Sequence, residues 1–158
     1  MEIQTFEHDV LVIGAGGAGM RAAIEAADAG CSVGLVCKSL LGKAHTVMAE
    51  GGIAASLGNV DDRDGWKVHF ADTMRGGQYV NNSRMAELHA KEAPQRVREL
   101  EQWGAVFDRT KDGKILQRNF GGHRYPPTLV IARDWRSFAR SKTTASINRR
   151  SRFTWNVA

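Results

Sequence analysis

The residues Gly14-Ala15-Gly16-Gly17-Ala18-Gly19 form the clearest chemical motif of this chain, a GxGxxG loop. The loop follows a short apolar run and opens an alanine-rich stretch with helical spacing, so it joins a strand to a helix. In such a loop the first glycine permits a tight turn, the second lets the backbone approach a pyrophosphate, and the third lets the helix pack against the strand. Free N–H groups at the helix N-terminus attract the phosphates. The motif in this context predicts dinucleotide binding.

The end of the second predicted strand lacks the acidic residue that usually contacts the ribose in NAD-binding proteins. Cys37, Lys38 and Ser39 stand there instead. Conventional NAD recognition is therefore disfavoured. Lys38 is compatible with a 2′-phosphate, as in NADP, or with a pyrophosphate whose ribose hydroxyl contacts Ser39.

The elements that position the loop form a βαβ unit. Buried strands are predicted over residues 9–13 and 31–37, and a helix over 17–29 that ends at Gly30. This order predicts an α/β fold with a parallel sheet and a right-handed crossover. Further along the chain we predict a loop over 38–60, a helix over 61–74, a helix from Ser83, a new helix from Pro94 to Gly104, and a hairpin turning at Asp112-Gly113.

Composition favours one soluble domain, because 42% of the 158 residues are hydrophobic and 25% are charged. The net charge of +5 suggests a nucleic-acid binder, but it is unevenly distributed. Residues 127–158 hold six Arg and one Lys against one Asp, a charge of +6, and the remaining residues carry 15 basic and 16 acidic side chains, a charge of −1. The basic excess thus lies in the tail, and we expect no nucleic-acid partner.

Cysteine and histidine spacings offer no metal site. Cys31 and Cys37 fall in or beside a buried strand and are expected to be reduced thiols, and His8, His69 and His89 are expected to be ordinary surface or helix residues. We assign no role to His123. The N-terminus lacks a signal-peptide pattern and no apolar run reaches the length of a membrane span, so we expect a reducing compartment.

Five segments together resemble one family, the flavoprotein subunit of succinate dehydrogenase and fumarate reductase. They are DVLVIGAGGAGMRAAIEA, LVCKS, AHTVMAEGGIAASLGN, ADTMRGGQYV and LEQWGAVFDRTKDGKILQRNFGGH, and they cover residues 8 to about 126. The combination of Ala44-His45-Thr46 with Glu50-Gly51-Gly52 and Phe120-Gly121-Gly122 is more specific than the glycine loop. The resemblance implies that residues 1–126 are the N-terminal part of a Rossmann-like FAD-binding domain.

The resemblance also implies which residues bind the cofactor, FAD. His45 matches the histidine joined covalently to the 8α-methyl carbon of the flavin, and Phe120 matches a residue near the dicarboxylate pocket. The implied FAD-binding residues are Gly14, Ala15, Gly16, Gly17, Ala18, Gly19, Cys37, Lys38, Ser39, Ala44, His45, Thr46, Glu50, Gly51 and Gly52. The catalytic acid and the substrate-clamping side chains of the family lie beyond the matched segments, so no catalytic residue is assigned.

The implied activity is oxidation of succinate to fumarate, or the reverse, with hydride transfer to FAD and electron transfer to an iron–sulfur subunit and quinone. Such a complex, with its membrane anchor, places the chain on the inner, cytoplasmic face of the cell membrane. One alternative is a related FAD-dependent oxidase such as L-aspartate oxidase, which mostly lacks the covalent flavin. Another is a noncatalytic truncated product, and the chain alone is expected to be inactive.

Residues 127–158 match none of the family's motifs and show no sustained helix or strand period. We therefore predict a disordered, non-homologous basic tail that is translated out of frame. Reading the third base of each codon with the first two of the next permits GDRTGLE from Leu129 to Arg136. That string contains the Asp-Arg-Thr-Gly that the family carries shortly after its Phe-Gly-Gly.

Overall fold

The computed structural model describes residues 5–38, 44–48, 52–119, 121–126 and 128–129. They fall into two compact units, residues 5–48 and residues 52–129. In chain order the elements are β1 (Val10–Ile13), α1 (Gly17–Asp28), β2 (Val33–Val36), α2 (His45–Met48), β3 (Ile53–Ala54), α3 (Trp66–Gly76), α4 (Ser83–Gln102), β4 (Gln117–Arg118) and β5 (Thr128–Leu129). None of the helices in these ranges is both long and apolar enough to cross a membrane.

The first unit contains the predicted βαβ arrangement. Strands β1 and β2 pair in parallel, with Val10 opposite Val33 and Ile13 opposite Val36. Helix α1 covers one face of this pair, where Ala23, Ala27 and Val33 form a buried cluster. The alanines let the helix lie close to the sheet, since a short side chain keeps the two backbones near each other.

Helix α1 ends where the sequence predicts. Gly30 has φ +91°, which favours glycine, and its N–H donates to the Ala27 carbonyl. The Cys31 N–H donates to the Ala26 carbonyl. These two bonds satisfy carbonyls of the last turn in the Schellman arrangement and turn the chain directly into β2.

The opposite face of the β1–β2 pair is open. Leu11 and Ile13 point away from α1, and Ile13 is 82% exposed. No described element of this unit covers them. Parallel sheets are normally covered by other elements on both faces. The exposed apolar side chains on this face are therefore typical of a sheet that packs against a second layer.

In the second unit, α3 packs against a single long helix, α4. The prediction of a new helix at Pro94 is wrong, because α4 runs from Ser83 to Gln102 with Pro94 inside it. A proline in a helix costs one hydrogen bond and about 3 kcal/mol. The preceding Ala93 is a poor N-cap, and α4 buries Ala86, Ala90 and Val97 along one face on both sides of the proline. The packing of this continuous buried face stabilises α4 by more than the proline destabilises it.

The boundaries of two other predicted segments also differ. Helix α3 begins at Trp66 rather than residue 61, because Asp61 instead accepts hydrogen bonds from the backbone N–H and the guanidinium of Arg63 in a tight turn. Those bonds lower the pKa of Asp61 to about 2. The segment predicted as a loop, 38–60, contains the short elements α2 and β3.

A small antiparallel sheet and the predicted hairpin complete the second unit. The hairpin turns at Asp112-Gly113, with Arg109 bridged to Ile115 and Gly113 at φ +83°. Strand β5 pairs with both β3 and β4. Thr128 and Leu129 thus form ordered pairs although they lie in the segment predicted to be disordered from residue 127, because backbone pairing needs no particular side chain. Residues 130–158 lie outside the described residues.

Candidate functional site

The glycine loop has the geometry that its spacing predicts. Gly14 ends β1 with φ +106°, and its N–H donates to the Val36 carbonyl at 2.7 Å. A Cβ added to Gly19 would stand 1.8 Å from the Gly14 carbonyl oxygen, so α1 approaches the loop more closely than any larger residue allows. A Cβ added to Gly14 meets nothing within 4 Å, which leaves space beside the loop for a ligand.

The N-terminus of α1 is held by a residue from far along the chain. Gly16 is the N-cap and supplies no side chain, and the Gly17 N–H donates to the Thr46 Oγ1 at 3.0 Å. A Cβ on Gly16 would lie 3.6 Å from that hydroxyl and 3.8 Å from the Ala44 Cβ. The structure therefore brings the segment Ala44-His45-Thr46 against the glycine loop. In the sequence analysis, only the family resemblance predicted that these two segments belong to one site.

This arrangement fits a dinucleotide phosphate. The first turn of α1 contains no acidic residue, and its N-terminus carries the partial positive charge of the helix. Gly14 and Ala18 are exposed, as are Lys38, His45 and Thr46. A bound pyrophosphate would meet backbone N–H groups here with no Cβ at Gly14 or Gly16 in its way.

The remaining predicted binding residues are placed as follows. Ala15 is buried, Cys37 is half-buried and forms no disulfide, and His45 begins α2. Gly52 has φ +86° and lies in the second unit. Ser39, Glu50, Gly51 and Phe120 lie outside the described residues.

In the second unit, the buried carboxylate of Asp72 is the main polar anchor that sequence reasoning missed. Its Oδ1 accepts from the Arg75 guanidinium at 2.7 Å, and its Oδ2 accepts from the Arg124 backbone N–H at 2.7 Å. The His123 Nδ1 lies 4.0 Å from Oδ2. Asp72 thus ties helix α3 to residues 122–124, which directly follow the Phe-Gly motif.

His69 is not a surface histidine, since only 2% of it is exposed. Its ring lies edge-on to His89 at 5.5 Å and to His123 at 5.4 Å between centroids. Burial, with smaller contributions from His89 and His123, lowers the pKa of His69 to about 4. Within the described ranges no group of three or more His, Cys, Asp or Glu side chains has the arrangement of a metal site.

A second buried polar residue, Gln117, connects the strands to the loop after β3. Its Nε2 donates to the Ala55 carbonyl and to the Asp64 carboxylate, and its Oε1 accepts from the Asn59 N–H at 2.8 Å. Burial raises the pKa of Asp64, although the bond from Gln117 opposes this effect. The spacing of polar residues gives no signal for this network, because its members come together only through the sheet.

The flavoprotein assignment also follows from comparison with known proteins. The family described as FAD binding domain matches residues 9–153, which extends beyond residue 126. A fumarate reductase (CoM/CoB) chain of Methanothermobacter marburgensis is 48% identical over 129 residues, covering 81% of this chain and 24% of that protein. A mitochondrial succinate dehydrogenase flavoprotein of Xenopus laevis is 45% identical over 116 residues, covering 73% of this chain and 17% of that protein.

Solved structures agree with this assignment. The Mycobacterium smegmatis Sdh1 complex in the apo form contains a chain that is 55% identical with a TM-score of 0.83, covering 92% of this chain and 27% of that one. A chain of E. coli quinol fumarate reductase is 32% identical with a TM-score of 0.83, covering 96% of this chain and 26% of that one. This chain therefore spans between 17% and 27% of the length of these four relatives. It belongs to the FAD-binding domain family, and it is similar to flavoproteins of succinate dehydrogenase and fumarate reductase.

Proposed function

We propose that this chain forms the N-terminal FAD-binding part of an enzyme that interconverts succinate and fumarate. The observation that carries the proposal is the hydrogen bond from the Gly17 N–H to Thr46 Oγ1. It holds the residues that resemble the family's flavin-attachment segment against the glycine loop, which supports one cofactor site formed by both. When bound, FAD would supply the hydride acceptor and release electrons singly.

The residues of the first unit then have distinct roles. The N–H groups at the start of α1 bind the pyrophosphate, and Gly16 leaves room for its approach. Lys38 adds a positive charge at the end of β2. Thr46 fixes the segment that carries His45, so the imidazole is presented from a position set by the glycine loop.

In this proposal His45 holds the flavin covalently. An imidazole nitrogen of His45 would hold the flavin at its 8α-methyl carbon. Such a link would release one hydrogen from each partner, as two protons to solvent and two electrons to an acceptor such as fumarate or dioxygen. It would fix the orientation of the ring and alter its potential.

The partners we propose are an iron–sulfur subunit and, through it, a membrane anchor and quinone on the inner face of the cell membrane. Quinone is supported by the names of two similar structures, Mycobacterium smegmatis Sdh1 in complex with UQ1 and a quinol–fumarate reductase with menaquinol molecules. The iron–sulfur subunit and the membrane anchor follow from the family resemblance. The proposed substrate is a dicarboxylate, and the family resemblance implies that Phe120 is near its pocket.

The test uses a chimera in which residues 1–126 are followed by the remaining sequence of the matching M. smegmatis Sdh1 chain. We expect His45→Ser to abolish flavin absorbance in acid-precipitated protein, whereas His89→Ser, which changes an exposed histidine of α4, leaves it unchanged. Undiminished covalent flavin in His45→Ser would refute the assignment of His45.

Two further readouts of the same chimera address the alternatives. Covalently bound flavin supports the succinate dehydrogenase and fumarate reductase group, whereas noncovalent flavin would instead indicate an oxidase such as L-aspartate oxidase. Because the catalytic side chains of the chimera come from Sdh1, succinate-dependent reduction of an artificial acceptor tests whether residues 1–126 form the FAD-binding part of such an enzyme. A chimera that binds flavin but does not oxidise succinate would refute that role.

A further inference from the structure

Gln117 of strand β4 is a buried amide that holds a distant segment of the second unit. The residue is 3% exposed. Its Nε2 donates to the Ala55 carbonyl at 3.1 Å and to the Asp64 carboxylate at 3.0 Å, and its Oε1 accepts from the Asn59 N–H at 2.8 Å. These three partners lie 53 to 62 residues earlier in the chain. Gln117 therefore fixes the path of the backbone that follows β3.

The segment that Gln117 holds has few other restraints. Strand β3 contains only Ile53 and Ala54, and both pair with β5. Such a strand is shorter than most strands of globular proteins, so its backbone pairs alone hold it weakly. Ala55 follows the strand and is fully buried, and the bond from Gln117 extends the attachment of the segment by one residue.

We propose that Gln117 is a positioning residue for the FAD-binding segment at Gly52. Gly52 directly precedes β3, is exposed and has φ +86°, a region in which glycine exchanges freely with other conformations. By holding Ala55 at the other end of β3, Gln117 limits where Gly52 can lie. The inference rests on the proposed function and the family resemblance, which together put Gly52 among the FAD-binding residues. Gln117 acts only through the backbone of residues 52–55.

The sharpest perturbation replaces the donor of Gln117 by an acceptor. Gln117→Glu keeps the shape of the side chain and an oxygen for the Asn59 N–H, but a carboxylate cannot donate to the Ala55 carbonyl. The new carboxylate would also face Asp64, and two buried carboxylates in contact would destabilise the fold. Asp64→Asn in the same chain removes this repulsion, because the amide of asparagine can donate to the new carboxylate. The double variant restores the link between positions 64 and 117 and still lacks the bond to Ala55.

Two single substitutions are matched controls for the double variant. Gln102→Glu makes the same chemical change at an exposed glutamine of α4. Asp64→Asn alone keeps an oxygen that accepts from Gln117 and leaves the bond to Ala55 in place. Both controls should behave as the unchanged chimera in the two measurements below.

Hydrogen exchange of the apo-chimera tests the anchoring without reference to the cofactor. The peptide covering residues 52–57 should exchange about tenfold faster in the double variant, which is the scale of one lost neutral hydrogen bond. The same peptide should be unchanged in Gln102→Glu and in Asp64→Asn. Unchanged exchange in the double variant would refute the anchoring role of Gln117.

FAD binding tests the link from the anchor to the cofactor. The measurement uses the chimera carrying His45→Ser, in which the proposed function leaves the flavin noncovalent and its Kd accessible. We expect the double variant to raise the Kd for FAD about tenfold and to shift the visible absorbance of the bound flavin, which a loss of overall stability alone would not do. Faster exchange with an unchanged Kd and spectrum would refute the link. If the chimera with Gln117 and Asp64 intact binds no FAD, the proposed function fails, and the exchange measurement still decides the anchoring.

Discussion

Alanine substitutions at two glycines of the same loop, Gly16 and Gly19, should affect folding and cofactor binding separately. At Gly19, an added Cβ would stand 1.8 Å from the Gly14 carbonyl oxygen and 3.0 Å from its carbon, and both atoms are backbone at the end of β1. Ordinary carbon–oxygen contacts are about 3.3 Å or longer, so helix and strand must separate by more than about 1 Å. We expect Gly19→Ala to cost about 3 kcal/mol of unfolding free energy or more, at the upper end of overpacking.

At Gly16 the same substitution meets only ordinary contacts, 3.6 Å to Thr46 Oγ1 and 3.8 Å to the Ala44 Cβ. The backbone there is extended, with φ −77° and ψ 179°, which alanine adopts freely. The unfolding free energy of the apoprotein should therefore change by less than about 1 kcal/mol. In the proposed site the methyl group would stand in the approach of the pyrophosphate. Losing one or two hydrogen bonds to a charged group costs about 3 kcal/mol, or roughly 100-fold in FAD affinity.

The assay compares urea unfolding of the apo-chimera with its FAD occupancy at limiting FAD, for Gly16→Ala, Gly19→Ala and the unchanged chimera. The expected pattern is a lowered unfolding free energy for Gly19→Ala, and an almost unchanged unfolding free energy with reduced FAD occupancy for Gly16→Ala. Wild-type occupancy in Gly16→Ala would refute the proposed path of the phosphate. Wild-type unfolding in Gly19→Ala would refute the close approach of α1 to the loop.

Three other predictions follow from single features. The pKa of His69 is about 4 in the folded chain and 6.5 when the side chain is free. As the pH falls, His69 is therefore protonated in the unfolded chain before it is protonated in the folded chain. The unfolding free energy should decline by about 3 kcal/mol between pH 6.5 and 4 because of this protonation. The urea midpoint of His69→Gln, measured against pH, should lack this part of the decline. The 158-residue chain alone should show no succinate oxidation with an artificial acceptor, because the face bearing Leu11 and Ile13 is bare and no catalytic residue is assigned in it; stoichiometric flavin with turnover would contradict this. Codons 128–136, read two bases later, should spell Asp-Arg-Thr-Gly, and a stop codon or an unrelated string in that frame would show that the tail is a basic extension.

The sequence alone determined the βαβ part of the first unit, because its signals are local. A β-branched run, alanines at helical spacing and Gly30 define β1, α1 and its end through interactions within a few residues. The hairpin at Asp112-Gly113 was predictable for the same reason. The spacing of Gly14, Gly16 and Gly19 also predicted the loop, since Gly14 adopts a positive φ and Gly19 lies too close to the Gly14 carbonyl to carry a Cβ.

Only the tertiary structure decided the features that depend on distant partners. Pro94 signals a break, yet the buried face of α4 carries the helix through it, because packing along that face outweighs one lost hydrogen bond. His69 and Asp72 look like ordinary polar helix residues, and their burial arises from a turn about fifty residues later. Thr46 reaches Gly17 across 29 residues. Burial and hydrogen bonding between remote segments leave no period in the sequence, because they are fixed by how the elements pack.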